Sequence, residues 1–392
     1  MKITYKQSAQ LLIVIYLPIM FLMWHHLVYG GTNLIGATTL MSIIGILFFF
    51  LFIKKQKIDK NTLPVYLFFI YCLLYIHIHL IIVGNKTDMF DRDLYSYHLT
   101  ISIYYLISYT VGQHITKTNN KILLLFYLLI SIKIFSNIDG STFSINLSDI
   151  DNEKRGVYLV LADIFSLFSF IIISSTSSFH KKIILFTVST IILFYLNSRA
   201  TLYIFIFVNI IYFIFFFKTK KIISLIFIAI PFFLYFSDFF NYLIDINERM
   251  LFIFSSPMED ASHIARVSLS KTGFARIYES PIIGDYGGVI ETNNHLGTYI
   301  HNIFSYWQTY GFIALICSLY FFIYQPIYTI SKIIKTKKTR DNNFPSLIFC
   351  LSLYLPLMII LAKSYTWHYA WFCLGAIHKY LSENKINIKS NK

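Results

Sequence analysis

"YIHNIFSYWQTYGFIALICSLYFF", residues 299–322, is the stretch on which the reading of the fold turns. From Ile303 onward it reads as a membrane span, an apolar run near the ~20 residues that a bilayer core requires. His301 and Asn302 stand at its threshold. An imidazole and an amide where a spanning helix is expected to begin raise two questions: which side of the membrane they face, and what else faces it.

The rest of the chain answers in kind. Of its 392 residues 56% are hydrophobic and only 13% are charged, where a soluble domain carries about 25% charged residues. Mean hydropathy is +0.62. An ordinary water-soluble globule is excluded, and the expected class is all-α: a polytopic integral membrane protein forming a single unit over 1–392. Apolar runs predict about twelve spans, near 9–29, 34–53, 63–83, 94–113, 122–137, 157–177, 182–198, 200–217, 222–238, 303–325, 345–362 and 365–381. The N-terminal run is too long for a signal peptide and no small-residue cleavage site follows it, so it reads as the first span. Cys72, Cys317, Cys350 and Cys373 all lie in apolar segments without metal or redox spacing.

The net charge of +14 does not point to nucleic acid, because the lysines form short clusters between spans. With twelve spans, 22 Lys and Arg fall on the side of the termini and 10 on the other, with Lys133 inside a span. An excess of cationic residues marks the cytoplasmic side. Both termini are therefore expected in the cytoplasm, and segment 239–302 forms a large loop on the outer side.

The arginines run against the lysines. Six of seven (Arg92, Arg155, Arg199, Arg249, Arg266, Arg276) lie on the outer side. A guanidinium grips phosphate or carboxylate with two parallel hydrogen bonds, whereas an ammonium is a point charge. Arg92 between Asp91 and Asp93, and Arg155 beside Glu153, read as local pairs. Arg199, Arg266 and Arg276 read as an anion site, with an Arg199–Asp163 structural pair as the competing reading for Arg199.

A loop of this length within a compact protein is usually functional. Ser256-Pro257-Met258-Glu259 has the pattern of a capped helix start, and Pro281 stops the helix. Ile264, Val267, Lys271, Phe274 and Tyr278 fall on one stripe. Arg266 and Arg276 would be rotated by only about 80° from each other. "SPIIGDYGG" (280–288) follows, where Gly284 and Gly287 would let backbone amides approach an anion. His25, His26, His77 and His79 read as packed or interfacial, and His295 as a lesser candidate than His301 for proton transfer.

The ordered run Arg266…Glu279-Ser280-Pro281-Ile282-Ile283-Gly284…His301-Asn302…Gly311 resembles the pattern of bacterial O-antigen polymerases and the related O-antigen ligases. Asn197-Ser198-Arg199 is similar to the "SR" at the outer end of a middle span in those enzymes. The chain has Gly284-Asp285-Tyr286-Gly287 where ligases often have G-x-G, which favours polymerase. Arg276 and Gly287 have the ten-residue Arg-to-Gly spacing of polymerases, but Ile210 stands where a repeat of it after Arg199 would place glycine.

The resemblance implies a GT-C-like glycosyltransferase of lipopolysaccharide biosynthesis in the bacterial inner membrane. It would act on undecaprenyl-diphosphate-linked oligosaccharides at the periplasmic leaflet, with a chain-length regulator protein as a partner and without a metal. His301 would be the general base, Arg199, Arg266 and Arg276 would hold the diphosphate, and Gly284, Gly287 and Asn302 would support them. A ligase differs in its acceptor, lipid A-core. A flippase for the same lipid-linked repeats is the reading from a different class, and sparse charge within the spans ranks it lower.

Overall fold

The structure is a computed structural model that describes residues 15–29, 59–115, 120–139, 144–145, 156–217, 250, 260–336 and 343–390. Among the described residues it is mainly helical, with a short antiparallel pair, β1 (Ile138–Asp139) and β2 (Ser144–Ile145), and an isolated bridge between Thr87 and Asp93. The expected spans 34–53 and 222–238, the capping pattern at 256–259, Arg155 and Arg249 lie outside the described residues.

The helices, in chain order, are α1 (Met20–Tyr29, after a π turn Ile15–Ile19), α2 (Leu63–Val83), α3 (Leu94–Gln113), α4 (Asn120–Phe135), α5 (Val157–Ser175), α6 (Phe179–Tyr195) and α7 (Arg199–Phe216). Then come α8 (Ala261–Glu279), α9 (Gly288–Asn293), α10 (Phe304–Tyr310) and α11 (Phe312–Leu319), which continues through a π turn into α12 (Gln325–Lys335). The last two are α13 (Asn343–Leu361) and α14 (Tyr369–Ser390). Among the described residues five helical stretches are long and apolar enough to cross a bilayer: α2, α5, α7, Phe312–Lys335 and Phe344–Leu361.

The chain divides into two compact units. The first comprises Met1–Ala37, Ile115–Asp260 and Ile330–Tyr354. Its centre is α5, where every residue from Leu161 to Ser174 is buried; a helix apolar all round belongs inside. Phe170 packs on Phe205 and Tyr354, with ring centroids 4.9 and 5.1 Å away. The C-terminal carbonyls of α5, which have no partner within the helix, receive the ammonium of Lys182: its Nζ donates to Ile173 O (2.8 Å), Ser174 O (3.2 Å) and the Tyr212 hydroxyl (2.8 Å).

The second unit comprises Thr38–His114, Ala261–Thr329 and Leu355–Lys392. Here α3 and α14 touch backbone to backbone across two glycines. A Cβ on Gly112 would lie 2.1 Å from Phe372 O, and one on Gly375 would lie 2.2 Å from Tyr109 O. Small residues permit such close approach between apolar helices. Tyr109 Oη and His378 Nδ1, 2.7 Å apart, link the same two helices. α2 packs beside α3, burying Val65, Phe68, Phe69, Cys72, Tyr75 and Ile76. Its other face, from Leu67 and Ile70 through Leu74 and Ile78 to Ile81, is exposed.

One expected span is corrected. Segment 303–325 is not one helix: the chain breaks at Gly311, whose φ of +82° lies outside helical space, and the membrane-length helix runs from Phe312 to Lys335. His301 and Asn302 therefore precede a seven-residue helix, α10, instead of opening a span.

Candidate functional site

Helix α8 carries two of the candidate arginines and is seated by a glycine. A Cβ on Gly273 would fall 2.3 Å from the Ile300 side chain, so the helix lies directly on the residue preceding His301. Phe274 meets Phe304 at 5.3 Å, and Ile277 is buried. Of the stripe read from the sequence only Phe274 packs inward: Ile264, Val267, Lys271 and Tyr278 are exposed, Tyr278 by 80%. The apolar period was right, but the packed face is the one that carries Gly273 and Ile277, where the backbone can approach.

Beyond α8 the turn Ser280–Gly284 docks on the α10–α11 break. Gly284 has φ +88°, and a Cβ there would lie 2.5 Å from Gly311 N; a Cβ on Gly311 would lie 2.2 Å from Ile282 O. Phe312 N donates to Ile282 O (3.0 Å) and Asp285 N to Gln308 O (2.7 Å). The Gly284 amide is spent on Ser280 O at 2.9 Å. Gly284 and Gly311 are thus a contact pair, each leaving room for the other's backbone, and the Gly284 amide is not free for an anion. Gly287, at φ +84°, precedes α9 and lies against the Lys86 side chain.

Gln308 ties this seat to the histidine: its Oε1 accepts from Ile300 N at 3.0 Å. Asn302 then caps α10, its Oδ1 accepting from Phe304 N (2.9 Å) and its carbonyl from Ser305 N and Ser305 Oγ. Side chains at such positions satisfy amides that a helix start leaves unpaired. Ser305 Oγ also accepts from Tyr365 N at 2.7 Å, which brings the 363–366 connector against the site. Tyr299 completes the clamp, with its hydroxyl 2.9 Å from Thr366 Oγ1 and its ring 5.4 Å from that of His301.

His301 is half-buried in this frame. Burial, together with the positive charges of Arg266 and Lys363, pushes its pKa down to about 4. Both effects disfavour imidazolium, so the ring is neutral at pH 7 and can accept a proton. Arg266 itself is exposed on α8.

Arg276 is engaged elsewhere. It contacts Thr292 Oγ1 and lies 3.7 Å from both Glu279 and Asp285. Burial holds the Asp285 carboxyl above its usual range despite Arg276, and Glu291 and Glu279 add to the rise. Ten residues of helix separate Arg266 from Arg276, about 15 Å along the axis. Arg266 thus acts on His301 through its charge, while Arg276 holds the 279–292 loop. His295 Nδ1 accepts from Gly297 N at 2.9 Å and its ring abuts Phe90, which makes it a turn residue.

Arg199 belongs to the first unit. There it forms a two-pronged pair with Asp260, so Asp260 is the carboxylate it grips, while Asp163 accepts from Thr201 Oγ1 at 2.8 Å. Arg92 is locally paired as expected, but with Asp88: Nε donates to Oδ2 at 2.8 Å. The residues that sequence reasoning missed are Lys363, Tyr299, Tyr365 and Gln308. The one available signal was Lys363, a lysine placed on the outer side between the last two expected spans. Among the described residues no three His, Cys, Asp or Glu come together as a metal-binding group.

No protein-family model matches the chain, and no curated protein matches it.

Proposed function

We propose that the chain is an O-antigen polymerase, a membrane glycosyltransferase that joins undecaprenyl-diphosphate-linked repeat units at the periplasmic face of the bacterial inner membrane. In this reading it has twelve spans, both termini in the cytoplasm and a GT-C-like architecture, and it works with a chain-length regulator protein. The observation that carries the proposal is a half-buried His301 set between Tyr299 and the Asn302–Ser305 start of α10, within reach of the charges of Arg266 and Lys363, in the ordered sequence pattern that resembles these enzymes.

The acceptor sugar hydroxyl gives its proton to the His301 imidazole as its oxygen bonds to the anomeric carbon of the donor. The bond from that carbon to the lipid diphosphate breaks, and undecaprenyl diphosphate leaves with the electron pair. Negative charge on the diphosphate grows through this step, so cations held beside it stabilise the transition state more than the ground state. Arg266 and Lys363 are assigned to that charge. Once an anion sits on them they depress His301 less, and the base strengthens as substrate binds. Asn302, Ser305 and Gln308 position His301; Gly284 and Gly311 seat the turn beside it. Arg276 and Arg199 are reassigned to holding the 279–292 loop and the start of α7.

A lipopolysaccharide gel from a strain lacking this gene separates the readings. A core band capped by a single repeat unit, without a ladder, is the polymerase result. Loss of all capped species would exclude it, and polymer accumulating on undecaprenyl diphosphate would then indicate the ligase. An unchanged ladder would rule out the whole pathway assignment.

A further inference from the structure

The turn Pro281–Ile283 combines two features that do not belong together in water. Its side chains are apolar and exposed, Ile282 by 75% and Ile283 by 58%. Yet each of its carbonyls has a donor from the protein. Pro281 O accepts from Trp307 Nε1 (2.6 Å), Ile282 O from Phe312 N (3.0 Å) and Ile283 O from Tyr75 Oη (2.7 Å). One turn of α2 further from Val83, Tyr310 O accepts from Tyr71 Oη at 2.6 Å. Surface turns in water leave such carbonyls to solvent. Irregular backbone at membrane depth must satisfy them from the protein.

The two tyrosines also fix the depth. Tyr75 stands eight residues before the end of α2 at Val83, which is about 12 Å of helix. Tyrosine side chains on a helix lean toward its N-terminus, so Ile283 lies at least that far from the Val83 end. α2 has 21 residues of spanning length and hydropathy. At the level of the turn its exposed face is Leu74, His77 and Ile78, and on the other side the exposed row of α11 begins at Phe312 and Ile313. Exposed apolar side chains of α2 and α11 thus stand on both sides of the turn.

We propose that Ile282 and Ile283 contact bilayer hydrocarbon, and that the floor of the outer segment is sunk about 12 Å below the outer end of α2 instead of resting above the membrane. Tyr278, one turn earlier on α8 and also exposed, continues the same surface. The partner is lipid acyl chain, matched by aliphatic side chains and dehydrated carbonyls. The inference rests on α2 crossing the bilayer and is independent of the reaction proposed above.

The test is spin labelling of I282C and I283C in a C317A background, since Cys72, Cys350 and Cys373 are buried. The protein is reconstituted in nanodiscs of phosphatidylethanolamine and phosphatidylglycerol, with V83C, I316C and N293C as reference sites. Collisions with oxygen and with a neutral nickel chelate report depth. The expected result is high oxygen and lost nickel collisions at 282 and 283, as at Ile316, with a depth about 12 Å greater than at Val83. Nickel collisions equal to those at Asn293 would put the turn in water and overturn the proposal. Low collisions with both reagents would mean a protein surface, such as a second copy, covers it, and would overturn it as well. Two adjacent sites guard against a single label disturbing the turn.

Discussion

Replacing Gly284 by alanine tests whether the glycines of the motif are steric or chemical. Gly284 has φ +88°, and a Cβ there would meet Gly311 N at 2.5 Å and Thr309 O at 3.1 Å. Left-handed backbone costs an alanine roughly 1–2 kcal/mol, and forcing an extra carbon into a packed contact adds roughly 1–3 kcal/mol. The obstructing atoms are main chain, so no flexible side chain can yield. The expected loss is about 2–5 kcal/mol. Gly84 provides the control, with φ +79°, ψ 176° and nothing within 4 Å of its Cβ, so G84A should lose only a backbone part, roughly 1–3 kcal/mol for a conformation that glycine alone adopts readily. Thermal unfolding of both purified variants in one detergent, followed by tryptophan fluorescence, gives the comparison. G284A should also lose activity, because the path from Gly284 through Asp285 N, Gln308 and Ile300 N ends beside His301. If G284A unfolds at the same temperature as G84A, the contact between turn and helix break is not what the glycines serve.

Four further outcomes follow from the same geometry. The His301 pKa is depressed, so its proton-accepting form persists as pH falls: kcat/KM should stay level from pH 7 downward and drop only near pH 4, where an unperturbed imidazole would turn near 6.5; a limb at 6.5 would remove His301 as the base. R266A takes away one of the depressing charges, so its acid limb should move up in pH while its activity falls; an unmoved limb would separate Arg266 from the histidine. R276A should instead lower the unfolding temperature, since it leaves Asp285 half-buried beside Glu279 and Glu291, and R266A should not; equal destabilisation would contradict the division of labour along α8. D260A breaks the mostly buried pair with Arg199 and should cost about 3–5 kcal/mol, read in the same unfolding assay; a neutral result would release Arg199 for a role in binding.

Four helices of bilayer length among the described residues, α2, α5, α7 and α13, were legible in the sequence, because long apolar runs leave little choice of environment. α5 and α13 could be placed from hydropathy alone. The break at Gly311 was missed because the apolar run from Phe312 to Phe322 was extended back over Ser305, Gln308 and Thr309 to make one span. What breaks the helix is the carbonyl of Ile282 from a distant turn, occupying the space a Cβ would take. The α8 stripe shows a second limit. Its periodicity was legible, but in a membrane protein an apolar face does not have to point inward, and a single glycine decided which face packs. Arg266 bears on His301 through its charge. Lys363 was hidden because nothing in the sequence links the 363–366 connector to the 299–305 segment; Ser305 and Thr366 do that in three dimensions.

The central claim is that this chain forms glycosidic bonds between lipid-linked repeats using His301 as the base. Purified wild-type protein and H301A, each reconstituted into liposomes with an undecaprenyl-diphosphate-linked repeat unit and no other enzyme, test it directly. The account predicts that wild type converts the single repeat into a ladder of longer lipid-linked oligosaccharides with release of undecaprenyl diphosphate, while H301A, present in the membrane at equal level, leaves the single repeat unchanged. A ladder from H301A matching that of wild type would contradict the assignment of the base, and no ladder from wild type would contradict the polymerase itself.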